Sequence, residues 1–398
     1  MTIASDLSAN DNSLALSLYS FITLLKKKLI MRTITIKPAA ITHNLNQVKK
    51  LAPTSKVLAM VKANAYGHGV AAVLPALQQA DGIGVATLRE ALEARQCGWD
   101  KTIGLIEGAF TVDEWLQAIE HDISCVIHHA PQLDWALEHI PPTNSATRVV
   151  WIKYNTGMNR LGFNEQTLIS AAKSLHDAGY QLILTTHFAN ADNQNHPLNA
   201  MQIQRFHDML NTLRETISTD IKGSLCNSAG IVNFPKYHHD WVRPGIMLYG
   251  SAPVIDQSAY ELNLQPAMEF SAQIIALQTV NAGDAIGYGS RWTAQQDTRT
   301  ALVSIGYGDG YPRVVNEDAY VSVIDAINQQ RYACAVIGRV AMDMIVIDVS
   351  AVPESSALNS KVILWGDTPH VDEVAMHADT IGYELLCRLS VRPNRIQM

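Results

Sequence analysis

A lysine stands at the end of the apolar run Val57-Leu58-Ala59-Met60-Val61, and the turn behind it, Ala63-Asn64-Ala65-Tyr66-Gly67-His68-Gly69, carries a phenol and an imidazole. An ammonium at the end of a buried strand costs solvation free energy, which it relieves by losing its proton or by condensing with a carbonyl. Either route makes Lys62 a nucleophile. A lysine so placed can equally snorkel into water, so its chemistry depends on what gathers around it. A lysine that holds pyridoxal phosphate as a Schiff base needs phosphate donors and a partner for the pyridine nitrogen. Ser228 and the amides around Gly245-Ile246 are candidate phosphate donors, and Tyr66 and Tyr383 can each add a hydroxyl. Arg243 is the candidate for the ring nitrogen. An arginine does not give up its proton and acts only as a donor, so the ring becomes a weaker electron sink than it would beside a carboxylate.

The elements that must position these groups can be read in order. Strand-like runs fall at 56–62, 82–87, 102–106, 123–128, 148–153, 182–187, 223–227 and 241–249, with helical segments such as 70–79, 88–95, 112–120 and 198–217 between them. Eight strand–helix steps in about 220 residues suit a closed eight-stranded parallel (β/α)8 barrel better than an open doubly wound sheet. Active sites of such barrels lie at the C-terminal ends of the strands. Lys62, Lys153 with Arg160, His187, Asn227 with Ser228, and Arg243 with Gly245 and Ile246 all fall at those ends, and His187 and Asn227 join the candidate cofactor-binding set. Near Gln265 the rhythm changes to short β-branched runs, at 273–280, 300–305, 320–324, 335–337, 344–349 and 361–365, with one helical stretch at 371–378. The expected organisation is a barrel over residues 31–264 and a mostly-β domain over 265–398.

Composition narrows the function. The chain has 398 residues, 47% hydrophobic, with a net charge of −7, so no global field recruits polyanions and nucleic acid is not an expected partner. Its five cysteines are scattered without a C-x-x-C pair, which fits a reducing, cytoplasmic setting rather than a disulfide or zinc framework. His187, Asp192 and His196 lack the spacing of a metal frame, and no metal is expected. The strings Gly287-Tyr288-Gly289 and Gly306-Tyr307-Gly308-Asp309-Gly310 lack the strand-to-helix setting of a phosphate loop and read as turns between strands. Residues 1–30 place an apolar stretch before three lysines, the reverse of a secretory signal and too short to span a bilayer. They are read as a loosely ordered extension, with no membrane partner.

Together, Val61–Gly69, Asn155-Thr156-Gly157-Met158-Asn159-Arg160-Leu161-Gly162, Val242–Gly250, Tyr288-Gly289, Ile305–Tyr311 and Gly338–Asp343 resemble the alanine racemase family in order and spacing from about Arg32 to the C-terminus. The resemblance implies a pyridoxal-phosphate enzyme working as a head-to-tail homodimer, with the β domain of one subunit completing the other's site. It implies Lys62 as the base on the D-alanine side and Tyr288 on the L-alanine side. A phenol with an ordinary pKa of about 10 is a poor base, so Tyr288 is expected to act through a polar network with His187 and Arg243. Arg160 and the Met342 backbone, with Asp343 nearby, are expected to hold the substrate carboxylate. Tyr66, Ser228, Gly245, Ile246 and Tyr383 are expected to hold the phosphate. Lys153 matches a position where some members carry a carbamylated lysine; unmodified, it would repel Arg160.

Overall fold

The computed structural model describes residues 31–398 except 355, 356 and 359; the extension expected over residues 1–30 lies outside the described residues. Eight short parallel strands form the first sheet, in the chain order Lys56–Met60, Gly82–Val85, Thr102–Leu105, Ser124–Ile127, Val149–Lys153, Gln181–Thr185, Lys222–Ser224 and Trp241–Val242. The first seven pair each with its sequence neighbour, and the eighth pairs with the first through Lys56↔Trp241 and Val57↔Val242. Between the seventh and eighth, the Arg243 amide donates to Cys226 O at 2.9 Å and the Asp240 amide to Gly223 O at 3.1 Å. The sheet therefore closes on itself as the expected barrel. Strands two and four are buried throughout, because helices cover the outside and side chains fill the inside.

Local chemistry sets where the helices begin. Thr87 and Glu90 form a capping box at the start of Leu88–Gln96, and Asn164 caps Glu165–Asp177 by accepting from the Thr167 amide at 2.9 Å. Trp151 plugs the barrel interior, edge-on to Trp241 with ring centroids 5.4 Å apart, and its Nε1–H donates to Ser124 Oγ at 3.1 Å.

The run expected as a single strand over 241–249 is shorter. It ends at Val242, and Ile246–Tyr249 is a fully buried 3₁₀ turn. Pro244 cannot donate to a ladder, and the chain bends there so that the Gly245 amide turns inward to Ser228 Oγ at 2.7 Å.

The second sheet is antiparallel through most of its length. Met268–Val280 is long enough to pair with both Lys361–Trp365 and Thr298–Val303, and the ring continues through Ile345–Asp348, Arg331–Ile337 and Tyr320–Ile324 back to Lys361–Trp365. Two strands absent from the sequence expectation extend it. Arg32–Ile36 pairs antiparallel with Met268–Val280, and Asn394–Gln397 pairs parallel with Arg32–Ile36. The first strand thus belongs to the C-terminal sheet, whereas the expected boundary put it with the barrel. Five residues with two buried aliphatics give a weak pattern whose partner is some 235 residues away, and no local signal says which sheet it joins. Among the described residues no helix is long and apolar enough to cross a membrane.

Candidate active site

The position of Lys62 is fixed by an unusual turn. In Lys62–Tyr66 the residues Ala63, Asn64, Ala65 and Tyr66 all adopt left-handed angles, with φ from 51° to 54°. For residues with a Cβ this costs about 1–2 kcal/mol each, so the surroundings must over-determine the conformation. Glu90 accepts from the amides of Ala63 and Ala86 at 2.6 and 2.8 Å, and Asn64 Oδ1 accepts from the Val70 amide at 3.0 Å. His68 Nδ1 donates to the Tyr66 carbonyl at 2.9 Å, and burial pulls this imidazole down to about 4, so it stays neutral. Gly67 closes the turn against the C-terminal domain, where any Cβ would lie 2.0 Å from the Leu386 carbonyl oxygen.

The turn sets Lys62 and Tyr66 on the wall of a cavity of about 510 Å³ at the C-terminal mouth of the barrel. Of the expected residues, Lys153, Arg160, His187, Asn227, Ser228, Arg243, Gly245, Ile246 and Tyr383 line the same cavity. Tyr66 stacks on Tyr249 with centroids 4.8 Å apart, and Tyr249 donates to the Met60 carbonyl at 2.8 Å. Burial, reinforced by Tyr383, raises the Tyr66 phenol well above its ordinary value, so it remains a neutral O–H donor. A Cβ on Gly245 would stand 2.4 Å from Tyr66 Oη. The glycine therefore keeps open a small concavity walled by Tyr66, Ser228 and the Ile246 amide, whose donor chemistry suits a phosphate. Asn227 is at the cavity, but its Oδ1 is occupied in accepting from the Gly230 amide at 2.9 Å.

Four cations, Lys62, Lys153, Arg160 and Arg243, share this wall with one carboxylate, Glu107. The Arg243 guanidinium is locked: Nη1 donates to Ser224 O at 2.9 Å and to Ser224 Oγ, and Nη2 to Thr186 O at 2.5 Å and Leu225 O at 3.2 Å. Its Nε–H is left without an acceptor among the described residues, free for a ligand. Burial brings this guanidinium down to about 10, still protonated at neutral pH. Burial and then the charges of Arg243, Lys153, Arg160 and Lys62 hold the His187 imidazole well below its usual range, so it faces the cavity uncharged. Burial, Arg243 and Arg160 bring the Lys153 ammonium down to about 8. So much positive charge on one wall calls for more than one anionic group, such as a phosphate and a carboxylate.

Three expected residues lie elsewhere. Tyr288 is 74% exposed and Met342 52% exposed on the C-terminal domain, and neither they nor Asp343 line the cavity. Within one chain Tyr288 therefore makes no network with His187 or Arg243, because the hairpin Ala285–Ile286 and Trp292–Thr293 that carries it projects from the β domain. Sequence reasoning passed over Glu107 and Cys387. Glu107 stands two residues after the third strand and could have been found by the strand-end rule that found the others. Cys387 comes from the helix Gly382–Cys387 of the other domain, and no local signal announces that contact.

A closed parallel barrel with a lysine after its first strand, an anion cradle between its last two and a β domain closing over its mouth defines an enzyme of the barrel type that works through an amine and an anionic ligand. The profile for "Alanine racemase, N-terminal domain" matches residues 36–253, and that for "Alanine racemase, C-terminal domain" matches 267–397. The chain belongs to the alanine racemase family. It is 56% identical over 368 residues to alanine racemase of Psychrobacter sp. (strain PRwf-1), covering 91% of this chain and 98% of that one. Among solved structures, alanine racemase from Acinetobacter baumannii is 46% identical with a TM-score of 0.86, covering 93% of this chain and all of that one. Alanine racemase from Bartonella henselae, solved with covalently bound pyridoxal phosphate, is 26% identical with a TM-score of 0.80, covering 92% and 99%.

The cradle yields a first expected result. Gly245→Ala should fold, since Gly245 is not in the left-handed region, but should lower affinity for pyridoxal phosphate by at least about tenfold by filling the concavity. Equilibrium titration of the apoprotein with the cofactor checks this; unchanged affinity would mean that the phosphate lies elsewhere.

Proposed function

We propose that L- and D-alanine are interconverted here by two bases on opposite faces of the α-carbon, Lys62 of one subunit and Tyr288 of a second copy in a homodimer. The observation that carries this reading is a cavity that holds Lys62 beside a set of cations, while Tyr288 of the same chain stands exposed on the β domain, outside that cavity. Pyridoxal phosphate, the family's cofactor, draws electrons from the α-carbon of a bound amino acid and so acidifies its α-proton. Tyr66, Ser228, Gly245, Ile246 and Tyr383 would hold its phosphate. The free Nε–H of Arg243 would meet its ring nitrogen, with His187 and Asn227 beside it.

Lys62 Nζ takes or returns the α-proton on the D-alanine side, and Tyr288 Oη does so on the L-alanine side. Arg160 and the Met342 amide of the second copy grip the substrate carboxylate and fix which face each base meets. Because Arg243 only donates, the carbanionic charge stays nearer the α-carbon, which favours return of the proton there over its loss to side reactions. The domain boundary follows the same logic, with barrel and β domain meeting near residue 265 and strand Arg32–Ile36 tying the two together.

Lys153 would orient Arg160, with which it shares the cavity wall. As an ammonium it would repel that guanidinium, whereas the neutral amine can add CO₂ to give a carbamate and a proton, turning the repulsion into an ion pair. With its ammonium brought down to about 8, a usable fraction is neutral near physiological pH, and that fraction falls tenfold per pH unit on the acid side. Protein equilibrated with ¹³C-bicarbonate should show a carbamate carbon that is missing in Lys153→Ala and builds up more slowly at pH 6 than at pH 8. That variant should raise KM for alanine by about tenfold with a smaller change in kcat. A labelled spectrum with no such carbon would leave Lys153 a plain amine.

The experiment for the function as a whole is incubation of the holoenzyme with L-alanine in deuterated water. α-Deuterated D-alanine as the main product is expected. Exchange with retained L-configuration would contradict the two-base reading.

A further inference from the structure

We infer that Asp309 and Arg392 are positioning residues for the substrate carboxylate, acting through the loop that carries Met342 and Asp343. The inference rests on the reading that this loop meets the substrate in a second copy of the chain.

Three segments far apart in sequence converge on that loop. The first is the glycine-rich string that fits no phosphate-loop pattern, in which Tyr307–Asp309 forms a single 3₁₀ turn. It is pressed against the loop: the amides of Tyr307 and Gly308 donate to the carbonyls of Ala341 and Met342 at 3.0 and 2.9 Å, and a Cβ on Gly306 would lie 2.3 Å from Ala341 O. The second is the start of the first strand, where Arg32 Nη2 donates to the Asp343 carbonyl at 3.3 Å. The third is the stretch before the last strand, where Arg392 Nη2 donates to Asp343 Oδ1 at 2.7 Å.

Asp309 joins all three. Its side chain is completely buried, and Oδ2 accepts from the Gly306 amide at 2.9 Å. Its Oδ1 has no well-formed hydrogen bond and is balanced by two guanidinium groups, Arg32 Nη1 at 3.5 Å and Arg392 Nε at 3.3 Å. Arg392 thus bridges a buried carboxylate through Nε and an exposed one through Nη2. A planar fork can do this, and a single ammonium cannot.

The arrangement has a chemical consequence. With the carbonyls of Ala341 and Met342 occupied and the Asp343 carboxylate paired to Arg392, the Met342 amide has no acceptor among the described residues. The loop therefore presents the Met342 N–H, in a fixed direction, beside a neutralised carboxylate. Were Arg392 absent, Asp343 would offer an unpaired negative charge to an incoming carboxylate, and the buried Asp309 would lose one of its two counter-charges. Arg392 both aims the amide and masks the repulsion. On this account Asp343 serves the loop and does not itself hold substrate.

The test uses the holoenzyme as wild type, Arg392→Ala, Arg392→Lys and Asp309→Asn. KM and kcat for L-alanine are measured with the inhibition constant of propionate, which has the carboxylate without the amine. Deuterium exchange into L-alaninamide, which has the amine without the carboxylate, is measured alongside. Arg392→Ala and Asp309→Asn should raise the alanine KM and the propionate constant together by about tenfold, with alaninamide exchange near the wild-type rate. Arg392→Lys should recover part of the loss, since it keeps one charge but not the bridge. If Arg392→Ala does not fold, Arg392→Lys with Asp309→Asn decides on the same constants. Unchanged constants, or equal loss with alanine and alaninamide, would overturn the positioning role. Failure of the underlying reading looks different: Lys62→Ala and Tyr288→Phe chains would then restore no activity to one another in mixed dimers.

Discussion

Phenylalanine in place of Tyr288 should leave a protein that binds pyridoxal phosphate normally, exchanges the α-proton of D-alanine with solvent and hardly racemises. The hydroxyl is exposed on the β domain and takes no part in the barrel cavity of its own chain, so its removal disturbs neither fold nor cofactor. On the proposed mechanism, what goes is the base on one face. Acid–base groups of this kind contribute about 10²–10⁴-fold, and a loss of roughly 10³ in kcat for either direction is expected. The sharper readout is asymmetry. D-alanine should take up solvent deuterium with its configuration retained, because Lys62 can still remove and return that proton, while L-alanine should exchange at a rate depressed as far as racemisation. Equal exchange of both enantiomers would remove Tyr288 from the reaction.

Replacement of Lys62 by alanine should have the larger effect, abolishing turnover with both enantiomers, since cofactor attachment and proton transfer on the D side fail together. Group-specific nucleophiles of this type are worth about 10⁴-fold or more. The visible band of lysine-bound cofactor should vanish, although the phosphate cradle of Ser228, Gly245 and Tyr66 is intact and free cofactor should still bind weakly. A retained band would assign attachment to the other lysine on the cavity wall, Lys153. Added methylamine, which restores a small amine near the missing Nζ, should recover a few per cent of the exchange but no preference for one face.

The barrel was legible because its strands alternate with helices at a regular interval and end in polar residues, and both signals are local. Lys62, Arg243 and Ser228 could be placed together from that regularity alone. What could not be read was long-range. The strand Arg32–Ile36 belongs to the C-terminal sheet through pairing with Met268–Val280, and nothing in five residues encodes that partner. The left-handed turn at Ala63–Tyr66 was equally hidden, since alanines and an asparagine do not ask for it; Glu90 and the Leu386 carbonyl against Gly67 impose it from outside. Tyr288 and Met342 were identified by resemblance only, and the single chain leaves them on its surface. A site divided between two copies has no trace in the periodicity of one.

That division is the central claim, and a mixture of two inactive proteins tests it most directly. Lys62→Ala and Tyr288→Phe chains carrying different tags are co-expressed, and racemase activity is measured on the mixed dimers and on each parent. If every site takes Lys62 from one subunit and Tyr288 from the other, a mixed dimer holds one doubly altered site and one intact site. A random mixture, half of it mixed dimers, should then regain about a quarter of wild-type activity. If tagged mixed dimers are present and remain as inactive as their parents, the two bases do not meet across an interface, and the shared-site account is contradicted.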